Sequence, residues 1–219
     1  MKLLLNLLGP TIMILIGLHF FGSVPITFLM FYGWLILIPI LYKRKNKGFL
    51  RKTTMITRDK IWNSLFIGAL SGTIFFVFIF GGLFWLHDYF LDIVYVQGIL
   101  KDWGFTGKAI YGLIFVLLVL NPILEENYWR GFIHQELLIK KIKTGHVILI
   151  TSFFYTLYHF LSVIPMFQWP LNVVAVLPVF VAGVFWGWIR EKTGTLLTPI
   201  ISHILADLGI MCVYWFIIR

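Results

Sequence analysis

Charge is the first thing this chain is short of. Asp, Glu, Lys and Arg make up 12% of its 219 residues, about half the share of an ordinary soluble domain. So few charges cannot cover a water-facing surface, and a soluble globular domain is excluded. Cysteine is nearly absent too. Cys212 stands alone, which rules out an intrachain disulfide and any cysteine-based metal cluster. There is no low-complexity tract, no clear repeat and no long soluble segment. The period-2 alternation of an outer-membrane barrel is also missing. What is present is apolar: 60% of the residues are hydrophobic and the mean hydropathy is +0.92.

A helix needs about 20 mostly apolar residues to cross a bilayer. Seven stretches meet that length, near Leu3–Gly22, Val24–Tyr42, Ile61–Leu86, Ala109–Leu124, Val147–Ile164, Leu171–Ile189 and Leu196–Ile218. The expected fold is all-α: a polytopic membrane helix bundle of about seven transmembrane helices. It forms a single integral-membrane domain over 1–219, with motif-poor spans in 1–108 and the chemistry in 109–218. The first stretch has only Lys2 before it, and Phe21-Gly22-Ser23 after it makes a poor cleavage site. It is therefore expected to stay as an uncleaved span.

The 18 basic residues outnumber the 9 acidic ones by nine. They cluster at Lys43–Lys60, at Lys140, Lys141 and Lys143, and at Arg190 and Lys192. Threading seven spans brings these three groups to one side, which the positive-inside rule makes cytoplasmic. The expected topology has the N-terminus in the cytoplasm and the C-terminus outside, in a plasma membrane. The positive charge then meets anionic lipid rather than nucleic acid. The loop His87–Lys108 holds Tyr89, Tyr95 and Trp103 and reads as an interfacial, part-helical lid. Gly68/Gly72 and Gly183/Gly187 have the small-xxx-small spacing of close helix contacts.

Ionisable residues inside a span cost several kcal/mol, roughly 2.5–3.5 on insertion scales, so each is a candidate for function. Three places stand out. Glu125 and Glu126 follow Asn121-Pro122, with Arg130 one turn beyond. Glu126 and Arg130 are i,i+4 and can pair, while Glu125 points about 100° away. A competing reading ends the span at Leu124 and makes these charges interfacial. Against it, Trp129, Phe132, Ile133, Leu137 and Leu138 carry the apolar pattern on to Lys140. The second place is His159, within a run of aromatics. Alone, it reads equally as a hydrogen-bonded core histidine. The third is His203 with Asp207, again i,i+4, which alone reads equally as a structural pair. At 1.5 Å per residue, Glu125 and His159 each lie about 20 Å in from the basic side, and His203 about 12–15 Å. A shared level on three helices points to an intramembrane polar cavity, expected to open to the cytoplasm.

A glutamate and two histidines can activate water for hydrolysis, with a histidine and its acidic partner stabilising the oxyanion. The same three residues, Glu125, His159 and His203, can also ligate zinc, and the residue types fit metal-bound and metal-free water alike. His-Glu-x-x-His, Gly-x-Ser-Gly and Gly-x-Gly-Asp are all missing. That argues against zincin, serine and aspartyl mechanisms.

These motifs resemble those of the CPBP (CAAX protease and bacteriocin-processing, or Abi) family of intramembrane endopeptidases. That family carries Glu-Glu-x-x-x-Arg, Phe-x-x-x-His and His-x-x-x-Asn/Asp on three helices. Here they are matched by Glu125–Arg130, by Tyr155 to His159 with Tyr in place of Phe, and by His203 to Asp207. The match covers roughly Ile110–Ile210. The resemblance implies catalytic roles for Glu125, His159, His203 and Asp207, with Glu126, Arg130 and Tyr155 in support. Its reaction is cleavage of a membrane-associated peptide or protein near the cytoplasmic face, and this short seven-span chain resembles the family's bacterial members. A bacteriocin self-immunity protein that does not cleave is the alternative within the resemblance. A proton-coupled carrier is the alternative outside it, although Pro122, Pro178 and Pro199 form no symmetric pair.

Overall fold

The computed structural model describes residues 2–45, 58–167 and 170–219. Among them there is no strand, and seven helices are long and apolar enough to span a membrane. They are α1 (Lys2–Phe20), α2 (Val24–Lys45), α3 (Arg58–Phe90), α5 (Gly107–Ile139), α6 (Thr144–Met166), α7 (Leu171–Thr193) and α8 (Leu197–Ile218). A short helix, α4 (Ile93–Asp102), lies between α3 and α5. The chain is a multi-pass membrane protein. Lys47, Arg51 and Lys52 of the basic loop lie outside the described residues.

One helix runs longer than the hydropathy pattern predicts, and another continues through its charges as the apolar pattern up to Lys140 predicts. α3 continues to Phe90, and α5 passes through the Glu125–Arg130 charges to Ile139. The competing reading, a span ending at Leu124, therefore fails. The charges satisfy one another inside the bundle, so the helix has no reason to stop. Pro122 shapes α5 at this point. It has no N–H to donate and its ring crowds the carbonyl one turn back. Widened π-helical turns at Val116–Leu120 and Asn127–Ile133 flank the α-helical segment Asn121–Glu126. Such turns absorb a break in the hydrogen-bond ladder and re-aim the side chains beside it.

The bundle is built around α5, which touches α2, α6, α7 and α8. Most of its site segment is buried: Tyr128, Trp129 and Ile133 are fully enclosed, while Ile123 and Asn127 face outward. Glycine sets two close approaches. A Cβ on Gly68 or Gly72 of α3 would come within 2.8 Å of Thr198 O or of Leu205 Cβ on α8. A Cβ on Gly183 or Gly187 of α7 would meet Ser152 or Ile148 of α6 at 3.2 and 3.0 Å. Both glycine pairs are packing devices, as their spacing predicts.

The basic ends share one face. Lys60 at the start of α3 lies near Gly194, in the turn between α7 and α8. Across the same end, Tyr42 of α2 meets Phe132 of α5 ring to ring at 5.1 Å. At the opposite end α4 lies across the tips of α6 and α8. Its Val96 is fully buried beside Met166, Val213 and Ile218, and the Asp92 carboxylate caps its first turn through the Tyr95 N–H. Gly104 and Gly107, with φ of 77° and 67°, make the reversal back into α5 that a β-carbon would resist.

Candidate active site

Three helices deliver the polar cluster. α5 supplies Asn121, Glu125, Glu126 and Arg130, α6 supplies Tyr155, Tyr158 and His159, and α8 supplies His203 and Asp207. Glu125, Glu126, Arg130 and His203 are at most 2% exposed. His159 and Asp207 are half-buried.

His203 is the hub. Its Nδ1 lies 3.0 Å from Glu126 Oε1. A carboxylate only accepts, so Nδ1–H donates and the ring orientation is set. Its Nε2 faces Asp207 Oδ1 at 3.5 Å, Glu125 Oε2 at 3.7 Å and the Tyr155 hydroxyl at 3.4 Å. Trp186 of α7 stacks on the imidazole, with centroids 4.1 Å apart and planes 18° from parallel. The indole N–H is held in turn by Ser202 Oγ at 3.1 Å.

Arg130 balances the acids. Its Nη1 donates to Glu126 Oε1 at 2.9 Å and its Nη2 to the Gly183 carbonyl at 2.9 Å. The guanidinium carbon lies 4.6 Å from the centre of the Tyr155 ring and 5.5 Å from that of Trp186. Glu126 thus serves Arg130 and His203 through one oxygen, and the i,i+4 pairing read from the sequence is present.

Glu125 is held differently. Its Oε2 is buried with no hydrogen bond of ordinary geometry, and the buried Tyr158 hydroxyl faces the carboxylate. Burying a carboxylate oxygen without a partner is costly. Glu126 Oε2 is also buried without a partner, but Glu126 is tied through Oε1 to Arg130 and His203, and Glu125 makes neither hydrogen bond. His159 donates from Nδ1 to the Tyr155 carbonyl at 2.9 Å, because a carbonyl oxygen can only accept. In the neutral ring its lone pair therefore sits on Nε2. Tyr158 and Tyr155 pack against this imidazole at 4.4 and 4.5 Å between centroids.

Every residue singled out in the sequence falls in or beside this cluster, and the structure adds several. Asn121 donates to Asp207 Oδ2 at 3.3 Å, and Tyr32 of α2 donates to Asn121 Oδ1 at 3.1 Å. Tyr158 and Trp186 enter as above. His134, fully buried, continues the stripe Glu126–Arg130–His134 along α5 and faces Glu191 Oε1 at 3.1 Å. The i,i+4 steps from Glu126 through Arg130 are a signal that could have found His134. A polar Asn before a mid-membrane proline could have flagged Asn121.

The zinc reading does not fit. A zinc site needs three or four donors converging at about 2.0–2.3 Å. Among the described residues no group of three or more His, Cys, Asp or Glu side chains is arranged to hold a metal ion. What the cluster offers a substrate is its own acids, bases and hydrogen-bond donors.

Comparison with known families gives one match: residues 107–209 fit the family "Type II CAAX prenyl endopeptidase Rce1-like". Comparison with curated proteins and with solved structures gives no match. The chain carries an Rce1-like domain of the CPBP/Abi intramembrane protease family over residues 107–209. That stretch contains all of the cluster except Tyr32.

Proposed function

We propose that this chain is an intramembrane endopeptidase that hydrolyses a peptide bond of a membrane-associated peptide or protein near the cytoplasmic face. Residues 109–218 form its catalytic core and 1–108 its scaffold. The observation that carries the reading is Glu125. It is a buried carboxylate with an oxygen that makes no hydrogen bond of ordinary geometry, 3.7 Å from His203, in a domain of a protease family.

Glu125 acts as general base and takes a proton from a water molecule that the His159 Nε2 lone pair helps to orient. The resulting hydroxide attacks the scissile carbonyl carbon. His203, protonated on both ring nitrogens, keeps Nδ1–H on Glu126 and offers Nε2–H, steadied by Asp207, to the developing oxyanion. Glu125 then returns its proton to the leaving amine as the C–N bond breaks. Glu126 and Arg130 hold His203 and balance the charge. Tyr155 closes the wall between Arg130 and His203. His203 lies six residues into α8 from its Leu197 end, about 9 Å at 1.5 Å per residue. The basic residues at that end favour a cytoplasmic position by the positive-inside rule, which supports cleavage near that face.

The test is peptidomics of membranes from cells making the wild-type chain or Glu125→Gln at equal abundance. Loss of a general base costs about 10²–10⁴-fold, so new termini should form with the wild type and be absent with the variant. Two identical profiles would overturn the reading. If the wild type then still conferred peptide resistance, the cluster would belong to a non-catalytic immunity protein.

A further inference from the structure

The cluster is not closed by the family-matched helices alone. Tyr32 lies on α2, outside residues 107–209, and it is nine-tenths buried. Its hydroxyl is 3.1 Å from Asn121 Oδ1, and Asn121 Nδ2 is 3.3 Å from Asp207 Oδ2. The other oxygen of Asp207 faces His203 Nε2 at 3.5 Å. The direction of this chain follows from what each group can do. The Asp207 carboxylate only accepts, so Asn121 must turn its N–H₂ toward it. That leaves the amide oxygen of Asn121 facing α2, where it needs a donor, and the Tyr32 hydroxyl supplies one. Without that hydroxyl the amide is oriented by Asp207 alone, through one 3.3 Å bond.

We propose that Tyr32 and Asn121 are positioning residues that act through Asp207, so that the motif-poor N-terminal spans help to set the orientation of His203. The proposal rests on the hydrolase reading. Asp207 sits beside an imidazole that must point its N–H at an oxyanion. An acid free to rotate would take that N–H for itself. Anchored through Oδ2 by Asn121, it offers His203 only Oδ1, at a fixed angle.

The probe is the most abundant new terminus that depends on the wild-type chain in the membranes described above. The readout is its rate of formation at equal protein abundance. Tyr32→Phe removes one oxygen and keeps the ring. It should slow cleavage about 2–10-fold, the worth of one neutral hydrogen bond. Asn121→Ala removes a bond to a carboxylate and should slow cleavage about 10–100-fold. A structural role would give the same penalties whatever stands at 207, so each variant is repeated in an Asp207→Asn background. There the side chain is neutral and brings its own donor, and both penalties should shrink to about twofold or less. Wild-type rates in Tyr32→Phe and Asn121→Ala, or undiminished penalties with Asp207→Asn, would overturn the proposal while leaving the hydrolase in place. If Glu125→Gln forms the same termini as the wild type, the hydrolase reading falls and this proposal falls with it.

Discussion

Arg130 carries a full positive charge into a place with no exposure to solvent, and three kinds of contact keep it there. One arm of the guanidinium pairs with Glu126, the other reaches the Gly183 carbonyl, and its face lies against Tyr155 and Trp186. Lysine can supply the charge but cannot reach two acceptors in one plane. Arg130→Met should cost about 3–5 kcal/mol, the usual penalty for breaking one side of a buried pair. Arg130→Lys should fall between this and the wild type. Thermal unfolding of the purified chain in detergent, followed by size-exclusion profile, checks the order. Midpoints equal to wild type in both variants would mean that Glu126 has found another partner. The Glu126–Arg130 pair was legible in the sequence because one helix fixes both ends. Tyr32, Tyr158 and Trp186 were not. The chain has 9 Tyr and 9 Trp, and only the approach of different helices decides which of them reach the acids.

The seven spans were legible for a simple reason: lipid forbids any short or irregular crossing, so apolar length alone gives the element. Their ends were less so. The pattern stops α5 at Leu124 when charge is counted as an exit from the membrane, and the structure carries it on because the charge is paired internally. Within His87–Lys108 the structure shows the expected helical part, α4, packed against the tips of α6 and α8. Its docking through Val96 depended on contacts with Val213 and Ile218 that lie more than a hundred residues away. At this scale the glycines give a clean test. Gly68→Val and Gly72→Val should lower stability by about 1–3 kcal/mol through overpacking against α8. Gly82, also helical, has nothing within 4 Å of the place a β-carbon would take. Gly82→Ala should be neutral or stabilising by up to about 1 kcal/mol. Equal melting midpoints for all three variants would remove the argument that α3 and α8 are in contact through glycine.

For the molecule as a whole, orientation is a matter of charge, and it can be read directly. With Cys212→Ser as background, single cysteines at Lys45 and Lys140 should react with a membrane-impermeant maleimide only after the cytoplasmic side is opened. A cysteine at Lys108 should react in intact cells. The reverse pattern would invert the topology and move the site's basic end to the outside. The assembly also assigns work to a helix that has no chemistry of its own. α3 turns Phe66, Leu70 and Ile74 outward, each more than half exposed, while its glycines rest directly against Thr198, Ile201 and Leu205 of α8. Packed interiors yield little under load. The position of α3 is thereby coupled to the helix that holds His203, through two positions whose contribution is the methyl group they lack.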